Sequence, residues 1–201
     1  MKIEIKENEA QKMMLIDGVS QGVSDKDNNP ISPYMKFVVD HINTLKPFSD
    51  LLFLGGGAML VPGWAKREKG MNITVFENDP EVYEKAKEHF QGLGLGPVVY
   101  IVDAKAFSGY LSHQLRYDLV FLDCYVGSTR SQGLYTTDYA QLCKGRLKDK
   151  GTFCVNYAGT EEEIYKYSGE LSTVFPNVKA NLIAMDQDVR HPVQGVFFCN
   201  N

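Results

Sequence analysis

The sequence predicts an α/β sandwich on a seven-stranded, mostly parallel sheet that finishes in an antiparallel hairpin. Three observations carry this reading. Apolar runs at residues 51–54, 73–76, 98–102, 119–122 and 152–155 are too short for buried helices, and several are bounded by Gly or Pro, as expected of strands covered on both faces. Amphipathic stretches lie between them, which is what parallel crossovers require. The tail breaks the rhythm: residues 180–185 and 195–199 are strand-like, joined by a Pro-containing loop with no room for a crossover helix, so they pair antiparallel.

Each element has a local reason. An amino-terminal arm, residues 1–32, holds two short extended pieces about Asp17-Gly18, a hairpin signal, and cannot fold alone. The polar, turn-forming stretch 24–30 reads as a linker to the main body, residues 33–201. Asp79 is placed to cap a helix with Pro80 at its first position and Val82, Ala86 and Phe90 on one face. Thr160 and Glu163 form a capping-box pattern at the start of another helix.

Composition excludes several classes. A chain of 201 residues, 44% hydrophobic, can bury one complete core without staples. A net charge of −4 argues against nucleic acid as partner. No apolar run approaches the roughly 18 residues of a membrane span, and the start, Met1-Lys2-Ile3-Glu4, lacks a signal peptide's apolar core, so the expectation is a cytoplasmic protein. The cysteines Cys124, Cys143, Cys154 and Cys199 are dispersed among apolar neighbours and His41, His89, His113 and His191 are scattered, which predicts free buried thiols and no metal.

The principal functional signal is Leu51-Leu52-Phe53-Leu54 running into Gly55-Gly56-Gly57 and then a helix. Three residues without Cβ turn tightly, let a ligand approach the backbone and aim N–H groups into the cleft at the strand's carboxyl end; the plainer reading is a tight strand-to-helix turn. The dinucleotide pattern G-x-G-x-x-G fails at Leu60, and no Gly-Lys-Ser/Thr follows for a phosphate loop. NAD becomes a distant runner-up, and adenosylmethionine and its relatives, which carry no phosphate, come first. They need a carboxylate for the ribose hydroxyls, and Glu77 ends the second parallel strand 22 residues after Gly55, near the expected spacing. Its alternative role is to support the following helix's N-terminus. Asp103-Ala104 after the third strand suits an adenine amino group, or Asp103 is an N-cap, or both. Asp123, at the tip of the fourth parallel strand, is the candidate general base, with a loop-capping acid as its alternative; Tyr125 follows beside the acceptor. The polar loop 127–133 has the composition of a lid, in which Arg130 hints at an anionic acceptor.

These residues resemble the spermidine synthase (polyamine synthase) family, within the class I adenosylmethionine-dependent methyltransferase fold. The resemblance rests on Met14-Leu15-Ile16-Asp17-Gly18-Val19 with Gln21, Pro33-Tyr34-Met35, Leu54-Gly55-Gly56-Gly57, Glu77, Asp103-Ala104, residues 117–123, Leu134-Tyr135 and residues 195–199, in the family's order. It implies Gln21 near the cofactor tail, Tyr34 at the acceptor pocket, Glu77 on ribose, Asp103 by adenine and Asp123 as base. Where the family carries acids for cationic groups this chain has Ala58 and Val126; Met35 replaces a Gln, and Met59 stands where the methyltransferase pattern G-x-G-x-G has Gly. The expected cofactor is therefore intact adenosylmethionine, and the expected reaction methyl transfer to a small-molecule acceptor. Aminopropyl transfer from the decarboxylated cofactor, or nucleoside or protein binding without turnover, are the alternatives. A homodimer is the assembly the resemblance suggests.

Overall fold

The computed structural model describes residues 1–90, 98–184 and 193–201. The chain opens with an antiparallel sheet of β1 (Ile3–Glu7), β2 (Lys12–Ile16) and β3 (Val19–Ser24). Asp17 and Gly18 turn β2 into β3 with φ of 48° and 81°, the left-handed pair that matches strand twist. The predicted hairpin is present, and β1 adds a third strand; Asp17 closes it by accepting the Lys2 N–H at 2.8 Å. Residues 24–30 form a closed turn between the arm and the body. The Asp25 carboxylate accepts from the backbone of Asp27 and Asn29 and from the Asn29 amide, and Ser24 bridges to Pro30, closing the segment on itself.

The body alternates as expected: α1 (Pro33–Thr44), β4 (Asp50–Leu54), α2 (Leu60–Lys69), β5 (Asn72–Glu77), α3 (Pro80–His89) and β6 (Val98–Ile101). A 3-10 turn (Ala104–Ala106) runs into α4 (Phe107–Tyr110), followed by β7 (Tyr117–Leu122), a small hairpin of β8 (Tyr125–Val126) and β9 (Thr129–Arg130), α5 (Thr137–Lys144), β10 (Leu147–Gly159) and α6 (Glu161–Val174). β11 (Asn177–Ala184) and β12 (Val193–Asn200) complete it. The seven-stranded sheet has the order β11-β12-β10-β7-β4-β5-β6, parallel from β10 to β6, with β12 antiparallel to both its neighbours. The tail pairing is as predicted; Met185 and the Pro-containing loop fall outside the described residues.

The continuous apolar runs are explained by the two layers. Leu51 and Phe53 of β4 enter one core with Met35, Val38 and Ile42 of α1 and Trp64 of α2; Leu52 and Leu54 enter the other with Tyr139 of α5 and Ile164, Tyr167 and Leu171 of α6. Met14 and Ile16 of the arm belong to the first core, so β2 draws its stability from the sheet's helical face. Asp79 caps α3 by accepting from Glu81 and Val82 N–H, and the Thr160–Glu163 capping box closes both ways. The cysteines are free, three of them buried. No helix among the described residues is long and apolar enough to cross a membrane.

Candidate functional site

The carboxyl ends of β4, β5 and β7 meet at the glycine turn. Gly55, at φ 97°, donates to the Phe76 carbonyl at 2.9 Å, and Asp123 N–H donates to the Leu54 carbonyl at 2.8 Å. A Cβ on Gly55 would stand 2.1 Å from the Asp123 carbonyl oxygen, so the absence of a side chain at 55 is what lets the two strand tips lie in contact. Above this turn is a cavity of about 370 Å³, lined by Gln21, Tyr34, Gly55, Gly56, Gly57, Glu77, Ala104, Asp123 and Tyr125 together with arm residues, the small hairpin, Asn156 and Gln194.

The glycine amides are used differently from the sequence expectation. Gly56 and Gly57 N–H donate to Glu77 Oε2 at 3.1 and 3.0 Å rather than pointing free into the cleft. The other oxygen, Oε1, accepts from Asp79 N–H at 3.0 Å. Glu77 is thus 7% exposed, with three backbone donors holding its charge at the cavity wall. It supports the next helix's N-terminus through Asp79 and also lines the cavity. The arm closes the site from above: a Cβ on Gly57 would reach the Gln21 carbonyl at 3.4 Å, and one on Gly22 would meet Ala58 and Leu60 side chains at 3.0 Å. Ala58 is buried under Gly22 and does not line the cavity.

Asp123 sits beyond β7 with its carboxylate between Tyr34 and Asn156. Asn156 Nδ2 donates to Oδ1 at 2.7 Å, and Tyr34 lines the same cavity beside it. Burial pushes the Asp123 carboxyl up to about 6, against the lowering effect of Asn156 and of the nearby Tyr34 phenol, while burial and the adjacent Asp123 charge raise the Tyr34 phenol well above its ordinary value. The Tyr125 hydroxyl, raised by burial, accepts from Ala158 N–H at 2.7 Å and donates to the Asn156 carbonyl at 3.3 Å, anchoring β8 to β10. Asp103 is the exception among the predicted residues. Its exposed carboxylate caps the 3-10 turn by accepting from Lys105 N–H at 2.8 Å and does not line the cavity, whereas Ala104 does.

Two features of the loop after Asp123 correct the sequence reading. Residues 125–130 form the hairpin of β8 and β9, turning at Gly127 with φ 58°, and Ser131 N–H pins it to the Cys124 carbonyl at 3.0 Å. Arg130 does not line the cavity: it donates to the Ala158 carbonyl at 2.6 Å and to Glu163 Oε1 at 3.1 Å, and stacks 4.0 Å above the Tyr157 ring. Among the described residues the cavity lining has four carboxylates, Asp17, Glu77, Asp79 and Asp123, and no Lys, Arg or His.

Sequence reasoning missed Asn156 and Gln194. Gln194 Nε2 donates to Asn156 Oδ1 at 2.7 Å, and both residues are buried. The available signal was a lone amide in the apolar run Phe153-Cys154-Val155-Asn156-Tyr157, because buried polar groups are rare without partners.

No protein-family model matches the sequence, and no curated protein does. Solved structures match the fold. A probable spermidine synthase from Corynebacterium glutamicum is 17% identical with a TM-score of 0.81, over 98% of this chain and 76% of that one. Spermidine synthase from Thermotoga maritima is 18% identical with a TM-score of 0.67, over 98% and 72%. Human methyltransferase-like protein 13, in complex with SAH, is 18% identical with a TM-score of 0.67, over 83% and 81%. The chain has the Rossmann-like fold of class I adenosylmethionine-dependent methyltransferases. Within that fold, its likeness to spermidine synthases extends over nearly the whole chain.

Proposed function

We propose that the chain is an adenosylmethionine-binding transferase that moves the methyl group to a small acceptor, with Asp123 taking the acceptor's proton. The observation that carries this is Glu77, a carboxylate at the tip of β5, held by Gly56, Gly57 and Asp79 N–H at the wall of a cavity that has no basic side chain among the described residues. Such a cavity favours a cation and disfavours phosphates or an anionic acceptor. The fold and the residues present fit the cofactor: Glu77 would hold the ribose hydroxyls, Ala104 and Leu134 would flank the base, and Gln21 with the glycine turn would border the tail. When bound, adenosylmethionine supplies an electrophilic methyl group on a sulfonium.

The chain's own part is to align and deprotonate. Asn156 fixes the Asp123 carboxylate, and a carboxyl near 6 is largely ionised at neutral pH yet basic enough to receive a proton from an attacking amine or hydroxyl. Ala58 and Val126 favour methyl over aminopropyl transfer. Ala58 is packed away from the cavity and Val126 is an apolar, 66% exposed residue at its edge, so neither pairs with an ammonium group. The four carboxylates in the lining favour the second reading, aminopropyl transfer from the decarboxylated cofactor, whose tail has no carboxylate to be accommodated.

Isothermal titration with adenosylmethionine and with its decarboxylated analogue tests the choice. Methyl transfer is supported by preference for the intact cofactor and release of adenosylhomocysteine on incubation with a panel of small acceptors. Preference for the analogue with release of methylthioadenosine would replace it by the second reading, and binding of neither would sink both.

A further inference from the structure

We propose that Gln194 and Asn156 form a two-amide relay that orients the Asp123 carboxylate and selects its charged form, Asn156 touching Asp123 and Gln194 acting through Asn156 as a positioning residue. The geometry is directional. Gln194 Nε2 donates to Asn156 Oδ1 at 2.7 Å, which leaves the Asn156 nitrogen to donate to Asp123 Oδ1 at 2.7 Å. An ionised carboxylate only accepts, so this sense of the Asn156 amide suits it; the flipped amide would set oxygen against oxygen.

The sheet builds the relay. Ala158 of β10 lies opposite Gln194 of β12, and Asn156 shares the face of Ala158, so the two amides are diagonal neighbours across an antiparallel pair. Val155 is level with Leu122, which places Asn156 just beside the tip where β7 gives way to Asp123. Because β12 runs against the parallel strands, its first residues lie at their carboxyl ends, where the site is. Asn156 and Gln194 are 4% and 8% exposed, so water does not readily replace either partner.

No cation among the described residues competes for the role. The titratable groups around Asp123 are Tyr34 from α1, Cys124 and Tyr125 from its own segment, Tyr135 from the loop before α5 and Cys154 from β10, and burial favours the neutral form of each. Hydrogen bonds therefore stabilise the charge of Asp123, and the Asn156 bond favours its ionised form.

The catalytic consequence rests on the proposed methyl-transfer reading; the protonation of Asp123 does not. The test is a carbon-13 NMR titration of the Asp123 side-chain carboxyl in the full chain, assigned with Asp123→Asn, in wild type, Gln194→Met, Asn156→Leu and the double variant. Asn156→Ala replaces the leucine variant if that does not fold. Asn156→Leu is expected to raise the proton affinity of Asp123 about tenfold and Gln194→Met about threefold. The double variant is expected to match Asn156→Leu alone, because among the described residues Gln194 reaches Asp123 through Asn156. An unchanged titration in Gln194→Met, or an effect of Gln194→Met that persists undiminished beside Asn156→Leu, overturns the relay. If the titrations behave as expected while no methyl transfer is found with any acceptor, the functional reading falls and the relay stands. If methyl transfer is found, the acid limb of its pH profile is expected to move with the NMR titration in each variant.

Discussion

Glu77 Oε2 accepts the N–H of Gly57 at 3.0 Å across a gap of 20 residues, tying the tip of β5 to the turn after β4. The same oxygen takes the Gly56 N–H, and Oε1 takes that of Asp79. Replacing Glu77 by Ala strips three backbone donors of their acceptor at once, at a cost of about 2–4 kcal/mol by urea unfolding. Glu77→Gln keeps one oxygen for the glycines and turns an amide nitrogen toward a donor, costing about 1–2 kcal/mol. Both variants are expected to lose at least roughly tenfold in adenosylmethionine affinity by isothermal titration, because one charge-assisted bond of this kind is worth about 1.5–3 kcal/mol. Unaltered affinity in Glu77→Gln would remove Glu77 from the binding surface.

The glycines of the turn are unequal. Gly55 faces the Asp123 backbone and has a left-handed φ of 97°, so neither strain nor collision can relax when a methyl is added. At Gly56 the nearest obstacle is the end of the flexible Met59 side chain, which can swing away. Thermal and urea unfolding should therefore find Gly55→Ala destabilised by about 3 kcal/mol or more and Gly56→Ala by about 1 kcal/mol. The reverse order would mean that the β4 and β7 tips do not touch.

Asp123 gives stability a pH dependence of predictable sign. Its carboxyl is raised from the ordinary 3.8 to about 6, so between those values the folded chain binds more protons than the unfolded one and stability falls as pH rises. The favourable contribution is complete below about 3.8 and lost above about 6. Asp123→Asn should then be more stable than wild type at pH 8, by no more than about 3 kcal/mol. That advantage should shrink steadily toward pH 4, as read by urea unfolding of both proteins at matched pH. The difference cancels other carboxylates such as Asp25 and Glu163, which are held low and slope the opposite way. A constant difference across the range would show that Asp123 titrates normally.

Arg130 is expected to matter for the fold and not for ligand charge. Arg130→Ala loses the Ala158 carbonyl, Glu163 and the face of Tyr157, together about 2–3 kcal/mol. Differential scanning calorimetry should register that loss, while acceptor selectivity measured with matched anionic and neutral compounds should not move. A specific loss of anionic acceptors would return Arg130 to the site.

Much of this protein is legible along the chain wherever cause and effect are neighbours. Asp79 caps the helix it precedes, Thr160 and Glu163 close a box three residues wide, and Asp17-Gly18 forces a reversal by backbone conformation alone. Glu77 and Asp123 are recognisable because each ends an apolar run, and a parallel strand's carboxyl tip is at the cleft whatever its neighbours are. Arg130 was misleading for the opposite reason: its partners, Tyr157, Ala158 and Glu163, are more than 25 residues away.

The sequence by itself determined the alternation of strands and helices, the antiparallel tail and the acids at the strand tips, since local periodicity, caps and glycine conformations dictate them. Only the tertiary structure decided that the glycine amides are spent on Glu77, that the arm is seated on the turn, and that Gln194 reaches Asp123 through Asn156. Those relations depend on strand order and register, which bring residues 20 to 38 positions apart within hydrogen-bonding distance. Buried polar groups then select one another from whatever that arrangement offers.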